Sequence, residues 1–383
     1  MEISVGVVAA LALAWAWEAD VHWFERHWLA FYCVRETKTF RTILIARLFA
    51  AGLGLLLLLV VRPRLGQWAG ATSLRDMMAT VARVTIAVVL SLAVSEGVLQ
   101  WKPHAVPGPI PSEMLPKVGW SETLLWDLEP SHTTTVPIAG RDIKYIVDAN
   151  GFRVRSEREV LDLNEPTVLF VGESLAMGLA VQADETYAAM VGEDLHLTAV
   201  NAAVHGYGND QSYLWMKTVL PRIPHLAAVV TVLLPGQLVR NVDPHRRRLG
   251  LRSDGTLEVL LAAPPSRLPD LELFVLFRTL VPYHDDESIR VTRAIFKSTA
   301  ELARARGAVP LFVATHCEAP CLATDGDMPV ILRDIFEPDH LSYVNVDLDP
   351  AWHVPTDIHP DVRGHRKIAD AVEAALRVAK VGR

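Results

Sequence analysis

The chain has 383 residues, enough for two or three folded units rather than one compact domain. Half of the residues are hydrophobic (51%) and the mean hydropathy is positive, which is high for a soluble enzyme and points to a membrane portion. A formal net charge of -7 argues against a nucleic-acid partner, whose footprint is a basic face, and no internal repeat or low-complexity tract is present.

The apolar excess lies in the first hundred residues. Three runs, Ile3 to Trp17, Thr42 to Val61 and Met77 to Ser95, approach the roughly 20 apolar residues that a spanning helix needs. Arg47 and Arg83 interrupt the second and third, and an arginine near a helix end snorkels to the headgroups. Trp15, Trp17, Trp23 and Trp28 crowd the first loop as an interfacial belt does. The start Met1-Glu2 lacks the positive charge of a signal peptide, and no small-residue cleavage site follows the first run. Residues 1–101 are therefore expected to be a membrane region of about three transmembrane helices. Between Trp101 and Gly140 the only basic residues are Lys102 and Lys117, as expected for a segment outside the cytoplasm. Three spans then put the remainder of the chain on the extracytoplasmic side, by expectation of a bacterial inner membrane; two spans would leave it in the cytoplasm.

Residues 102–147 read as a Pro-rich, extended connector followed by a β-hairpin, Thr133 to Ile138 and Ile143 to Val147, turning at Gly140. Five short apolar runs come next, Thr167 to Val171, Leu197 to Ala202, Ala228 to Leu234, Pro310 to Thr315 and Leu341 to Val346, with helical stretches between most of them. This alternation predicts an α/β doubly wound domain over 148–383 with a five-stranded, mostly parallel sheet. An insertion at about 243–287 contains a hairpin turning at Asp254-Gly255, and its basic run His245 to Arg248 reads as solvated hairpin charge, with an anionic substrate or headgroup as the sharper alternative. Cys317 and Cys321 offer a disulfide, free thiols or, with His316, an incomplete metal set. No cofactor or metal is expected.

The strand Thr167 to Val171 breaks at Gly172 into a turn that carries Ser174. A hydroxyl at the carboxyl end of a parallel strand borders the crevice where ligands bind. Ser is also a preferred helix N-cap, which is the plainer reading of the position. Near the other end of the sequence, Asp357-Ile-His359-Pro360 and Gly364-His365 lead into a terminal helix. A serine is a weak nucleophile until a base takes its proton, and the base works best when a carboxylate orients it. Ser174, His359 and Asp357 supply those roles, while His365 reads as a helix-start residue.

These residues resemble the SGNH or GDSL-type hydrolases. The family's Gly-Asp-Ser-x-x-x-Gly block is similar to Gly172-Glu-Ser174-Leu-Ala-Met-Gly178, its second block to Val200 through Gly206 and Gly208, and its last to Asp357 through His365. Asn150 to Arg153 and Asp184 to Tyr187 look like its flanking phrases, so the resemblance covers roughly residues 148–380. It implies a three-layer, flavodoxin-like SGNH fold and acyl-enzyme chemistry on an acyl-ester small molecule or an acylated glycan. An oxyanion hole would be formed by the Ser174 and Gly206 N–H groups and a third-block amide. The chain departs from the family at three places. Glu173 replaces Asp; the acid at Asp357 stands two rather than three residues before the histidine; and Gln237 occupies the third-block asparagine's place, with Asn241 as the alternative donor. Asn209 and Asp210 read as the cap of the next helix. The departures keep two other functions in view, an O-acyltransferase acting on an envelope glycan and a non-catalytic binding module.

Overall fold

The computed structural model describes residues 2–19, 37–64, 67, 73–101, 118–121, 125–244, 246–262, 286–317, 322–349, 351–355 and 359–382. The chain divides into two units, one of residues 1–105 with 266–283 and 321–323, the other of 106–265, 284–320 and 324–383.

The first unit contains α1 (Glu2–Glu18), α2 (Thr37–Leu56, continued by a π turn Leu57–Val61) and α3 (Leu74–Trp101). Two segments are long and apolar enough to cross a membrane, Ile43–Arg64 with a mean hydropathy of 2.6 and Met78–Gly97 with 1.9; the apolar part of α1, Val5–Glu18, is shorter. α1 and α2 pack closely because Gly54 lacks a Cβ, which would otherwise lie 2.7 Å from Leu13 Cγ. Arg47 does not extend away from the helices as a snorkelling side chain would. Its Nε and Nη2 donate to the carbonyls of Ala16 and Trp17, at 2.9 and 3.1 Å, supplying partners to carbonyls that the end of α1 leaves over. The loop tryptophans Trp23 and Trp28 lie outside the described residues.

The second unit is built on β1 (Val118–Ser121), β2 (Leu125–Leu128), β3 (His132–Ile138), β4 (Arg141–Val147), β5 (Arg153–Val154), β6 (Thr167–Val171), α4 (Ser174–Met177), α5 (Tyr187–Leu195), β7 (Thr198–Asn201), α6 (Asn209–Val219), β8 (Leu226–Leu233), α7 (Pro235–Val242), β9 (Arg248–Leu251), β10 (Leu257–Leu260), α8 (Asp286–Ala305), β11 (Val309–Cys317), α9 (Leu322–Phe336), β12 (Tyr343–Leu348) and α10 (Val362–Val378). The main sheet has eight strands in the order β12-β11-β8-β6-β7-β5-β4-β3. The five strands β12, β11, β8, β6 and β7 are parallel, matching the five apolar runs of the sequence. The expected five-stranded sheet is nevertheless too small. Arg153 of β5 pairs antiparallel with Asn201 on one side and with Val147 on the other, so a two-residue strand joins the β3–β4 hairpin to the parallel set. Two residues are too few for a period-2 pattern to register in the sequence. The β9–β10 hairpin forms where Asp254-Gly255 predicts it, with Gly255 at φ +81°.

Alternation along β11 sets the layers. Leu311 and Val313 face the core that contains Ile368, Val372 and Leu376 of α10, while Phe312 and Ala314 face Phe296 and Ala300 of α8. On that second side Phe296, Phe312 and Phe336 pack ring to ring at 4.7–5.6 Å. α5 packs beside α10 and against β7.

α10 is tied to α5 by His365. Its imidazole is fully buried, its Nδ1 accepts the Tyr187 N–H at 3.2 Å, and its ring stacks on Tyr187. Burial, then the positive charge of Arg153, pushes its pKa down to about 3. Between the ordinary histidine value near 6.5 and about 3, the unfolded chain therefore binds a proton that the folded chain refuses. Stability should fall as pH drops through that window, with this group contributing a slope of at most about 1.4 kcal/mol per unit. In thermal melts at stepped pH, His365→Asn, which keeps an acceptor for the Tyr187 N–H, is expected to flatten the decline; an unchanged slope would remove His365 as its source.

Candidate active site

The site begins with a steric demand at the end of β6, a strand buried along its whole length. A Cβ on Gly172 would sit 2.7 Å from the Ala176 Cβ, so only glycine lets the chain turn back this tightly. Glu173 then caps α4, its Oε1 accepting the Leu175 N–H at 2.8 Å. The cap is thus Glu173, which releases Ser174 from that duty. The Ser174 carbonyl accepts from the N–H groups of Gly178 and Leu179, at 3.0 and 2.8 Å, and Gly178 closes the turn at φ +81°.

His359 arrives from the far edge of the parallel set. After β12 the chain folds back on itself: the His359 carbonyl accepts the Val354 N–H at 3.0 Å, and the Trp352 carbonyl accepts the Asp361 N–H at 2.8 Å. Asp361 caps α10 through the N–H groups of Arg363 and Gly364. A Cβ on Gly364 would meet Pro360 at 2.6 Å, so the first turn of α10 can press against this loop. The result places His359 Nε2 2.8 Å from Ser174 Oγ, although 185 residues separate them. Asp357 lies outside the described residues. His365 faces Tyr187 and is bonded to its N–H, so its imidazole is engaged in the core.

The turn after β7 brings Gly206 alongside. The Val204 N–H donates to the Gly172 carbonyl at 3.1 Å and fastens this turn to the end of β6. Gly206 holds φ +78°, and neither its N–H nor that of Ser174 meets an acceptor among the described residues. Gln237 is fully buried in the first turn of α7; its Oε1 accepts the Leu234 N–H at 2.9 Å, while its Nε2 has no hydrogen-bond partner among the described residues.

Asn241 is not a spare donor, contrary to expectation. Its Nδ2 donates to Asn209 Oδ1 at 3.1 Å and to Thr292 Oγ1 at 2.8 Å, and its Oδ1 accepts the Asn209 N–H at 2.8 Å. Both amide hydrogens are spent on joining α6, α7 and α8. Asn209 and Asp210 are not the cap of α6 as expected but its first two residues, since Gly208 is the N-cap. Asp210 is fully buried against Arg246, 2.9 Å away, which assigns one cation of the basic run to an internal ion pair.

Four features escaped the sequence. The Glu173 carboxylate, 2% exposed, approaches Ser174 itself, with Oε2 2.5 Å from Ser174 Oγ and 3.7 Å from Arg240 Nη1. His205 is pushed down to about 4 by burial, a fall that the nearby Glu173 charge opposes, so the imidazole is neutral at physiological pH. Trp126 of β2 covers the Gly206 turn: its Nε1 donates to the His205 carbonyl at 3.1 Å, and its own carbonyl accepts Tyr207 Oη at 2.7 Å. Behind Ser174, Asn201 and Arg153 take up carbonyls of the α4 turn. A buried polar residue next to a glycine turn was visible only as a letter in the second block and in the Asn150 to Arg153 phrase.

No family model matches the chain, and no curated protein matches it. Among solved structures it is similar to TesA, with 15% identity, a TM-score of 0.37, 55% of this chain and 98% of that one covered. An acetyl xylan esterase, Est2A of Butyrivibrio proteoclasticus, matches at 11% identity and a TM-score of 0.35 over 58% of this chain and 66% of its own. A member of the lipolytic G-D-S-L family from Veillonella parvula matches at 12% and 0.33 over 56% and 98%. GDSL lipolytic proteins and esterases are thus the solved structures this chain is similar to, and at these scores the likeness adds no weight to the chain's own strand order and Ser174–His359 geometry.

Proposed function

We propose that the chain is a membrane-anchored serine ester hydrolase of the SGNH type. One observation carries the reading: a half-buried serine hydroxyl at the carboxyl end of a central parallel strand lies 2.8 Å from the Nε2 of His359. In the proposed reaction His359 takes the Ser174 proton as Oγ attacks an ester carbonyl. The developing oxyanion receives the Ser174 and Gly206 N–H groups and the Gln237 amide. His359 returns its proton to the departing alcohol, leaving an acyl-serine that water hydrolyses by the reverse sequence. Asp357, by its place in the sequence, is assigned to orient the imidazole. The ester acted on includes an O-acetyl group of a glycan, and a sugar hydroxyl in place of water would make the same chemistry an acyl transfer. The apolar helices are assigned to a bacterial inner membrane and the Ser174 unit to its outer side, on the three apolar runs and the scarcity of cations from Trp101 to Gly140.

The full chain in detergent should be labelled by a fluorophosphonate probe, and labelling should be lost in Ser174→Ala and fall by about 10³-fold or more in His359→Ala. A folded wild-type chain that resists the probe would instead indicate a binding module. Released acyl group partitioning to an added oligosaccharide in preference to water would identify the transferase.

The two amides of the third block should separate in their effects. Gln237→Glu keeps an acceptor for the Leu234 N–H but removes the donor, and kcat is expected to drop by about 10²-fold or more with the fold retained. Asn241→Ala strands the buried Asn209 N–H, so it should lower stability by about 1–3 kcal/mol while the folded fraction turns over normally. Equal kcat losses in both variants, measured beside thermal melts, would refute this division of roles.

A further inference from the structure

Arg153 is the least expected group behind the nucleophile. It lies in β5, between the hairpin and the parallel set, and is 5% exposed. Its Nη1 donates to the carbonyls of Met177 and Gly178, and its Nη2 to that of Val181, each at 2.6 Å. None of the ion pairs among the described residues includes it, and the ring of Tyr145 lies 4.5 Å from its Cζ. Burial lowers its pKa to about 10, so it keeps its charge at neutral pH.

A cation buried without an ion pair needs a reason, because desolvation opposes it. The carbonyls in question close the α4 turn, the negative end of the backbone dipoles that start at Ser174. Asn201 Nδ2 adds bonds to the carbonyls of Ala176, at 3.0 Å, and Met177, at 3.4 Å. Tyr145 Oη accepts the Ala180 N–H at 2.8 Å, at a residue held at φ +71° despite its Cβ. Gly178 has no room for a side chain either: a Cβ there would stand 2.9 Å from Arg153 Nη1 and 2.3 Å from Thr186 Cγ2. The loop Gly178 to Val181 is therefore held in an unfavourable conformation by Arg153 and its neighbours, and the N–H groups of Gly178 and Leu179 in turn hold the Ser174 carbonyl.

We infer that Arg153 is a positioning residue, which fixes the Gly178 to Val181 loop and through it aims Ser174 Oγ at His359. The inference rests on the proposed roles of Ser174 and His359. It accounts for an arginine in particular: a planar guanidinium reaches three carbonyls of this segment and that of Lys144 at fixed angles, and a lysine ammonium on a flexible stem does not reproduce that fork.

The test uses the full chain with Arg153→Lys and Arg153→Met, in two arms. With p-nitrophenyl acetate, kcat should fall by about 10²-fold with KM nearly unchanged, since a misplacement near 1 Å has that effect on an attacking group. Guanidinium ion should restore part of the rate to Arg153→Ala. In the second arm, 13C-labelled histidine reports the His359 imidazole resonance with and without Ser174→Ala. The wild-type resonance should move on loss of the hydroxyl, and that movement should vanish in the Arg153→Met background. A folded Arg153→Met or Arg153→Lys protein with wild-type kcat, or with the full His359 response to Ser174→Ala, would overturn the inference. A wild type with no esterase activity would defeat the proposed function, and the resonance arm would still decide whether Arg153 sets the Ser174–His359 contact. If Arg153→Met does not fold, Arg153→Lys answers both arms.

Discussion

The close approach of Gly172 to Ala176 is the constraint on which the site depends. With no Cβ to accommodate, β6 can turn back within two residues, and the hydroxyl of Ser174 emerges at the carboxyl edge of the sheet. The connections leaving the neighbouring parallel strands meet at the same edge. The turn after β7 supplies Gly206, the helix after β8 supplies Gln237, and the loop after β12 returns His359. A parallel sheet delivers every strand-to-helix connection at one end, which explains how groups from distant parts of the chain converge without any one connection being long. The antiparallel strands serve a different purpose. β2 lays Trp126 over the Gly206 turn, β5 places Arg153 behind the α4 turn and β4 places Tyr145 beside it.

Much of this was legible in the sequence, and the hidden remainder has identifiable causes. The inner parallel strands showed as apolar runs because both their faces are buried, as in Thr167 to Val171, while the edge strand β12 buries only alternate residues, Val346 and Leu348. Ser174 and His359 were legible because each stands at a punctuated boundary, after Gly172 and before Pro360. The sheet's true width was hidden, since β5 spans two residues and reads as loop. The role of Asn241 was hidden for another reason: an amide beside a helix looks the same whether it faces a cleft or braces two other helices, and only the positions of Asn209 and Thr292 decide. Arg47 shows the same ambiguity in the apolar region. A lone arginine in such a run suggests a headgroup, yet the carbonyls at the end of α1 were nearer partners.

Gln237 is accommodated by the helix whose first turn it occupies. It places Oε1 on the Leu234 N–H and caps its own helix, which commits the acceptor end of the amide and leaves the donor end over. The cap thus fixes the orientation of the amide. Its Oε1 and Nε2 are distinguished by the cap, because a backbone N–H can bond only to the oxygen.

Glu173 sets the remaining condition on the chemistry. Ser174 has one hydroxyl hydrogen and two acceptors within reach, Glu173 Oε2 at 2.5 Å and His359 Nε2 at 2.8 Å. Donation to the carboxylate leaves the imidazole to donate to Oγ, and a base that already holds its proton cannot take another. Donation to His359 is the arrangement that the proposed reaction requires. The balance between them depends on how strongly Glu173 competes. Its Oε1 is occupied by the Leu175 N–H, and Arg240 Nη1 stands 3.7 Å from Oε2, so both oxygens face positive partners that weaken their claim on the serine. In the proposed reaction Arg240, in the neighbouring α7, is therefore part of the condition for an activated Ser174.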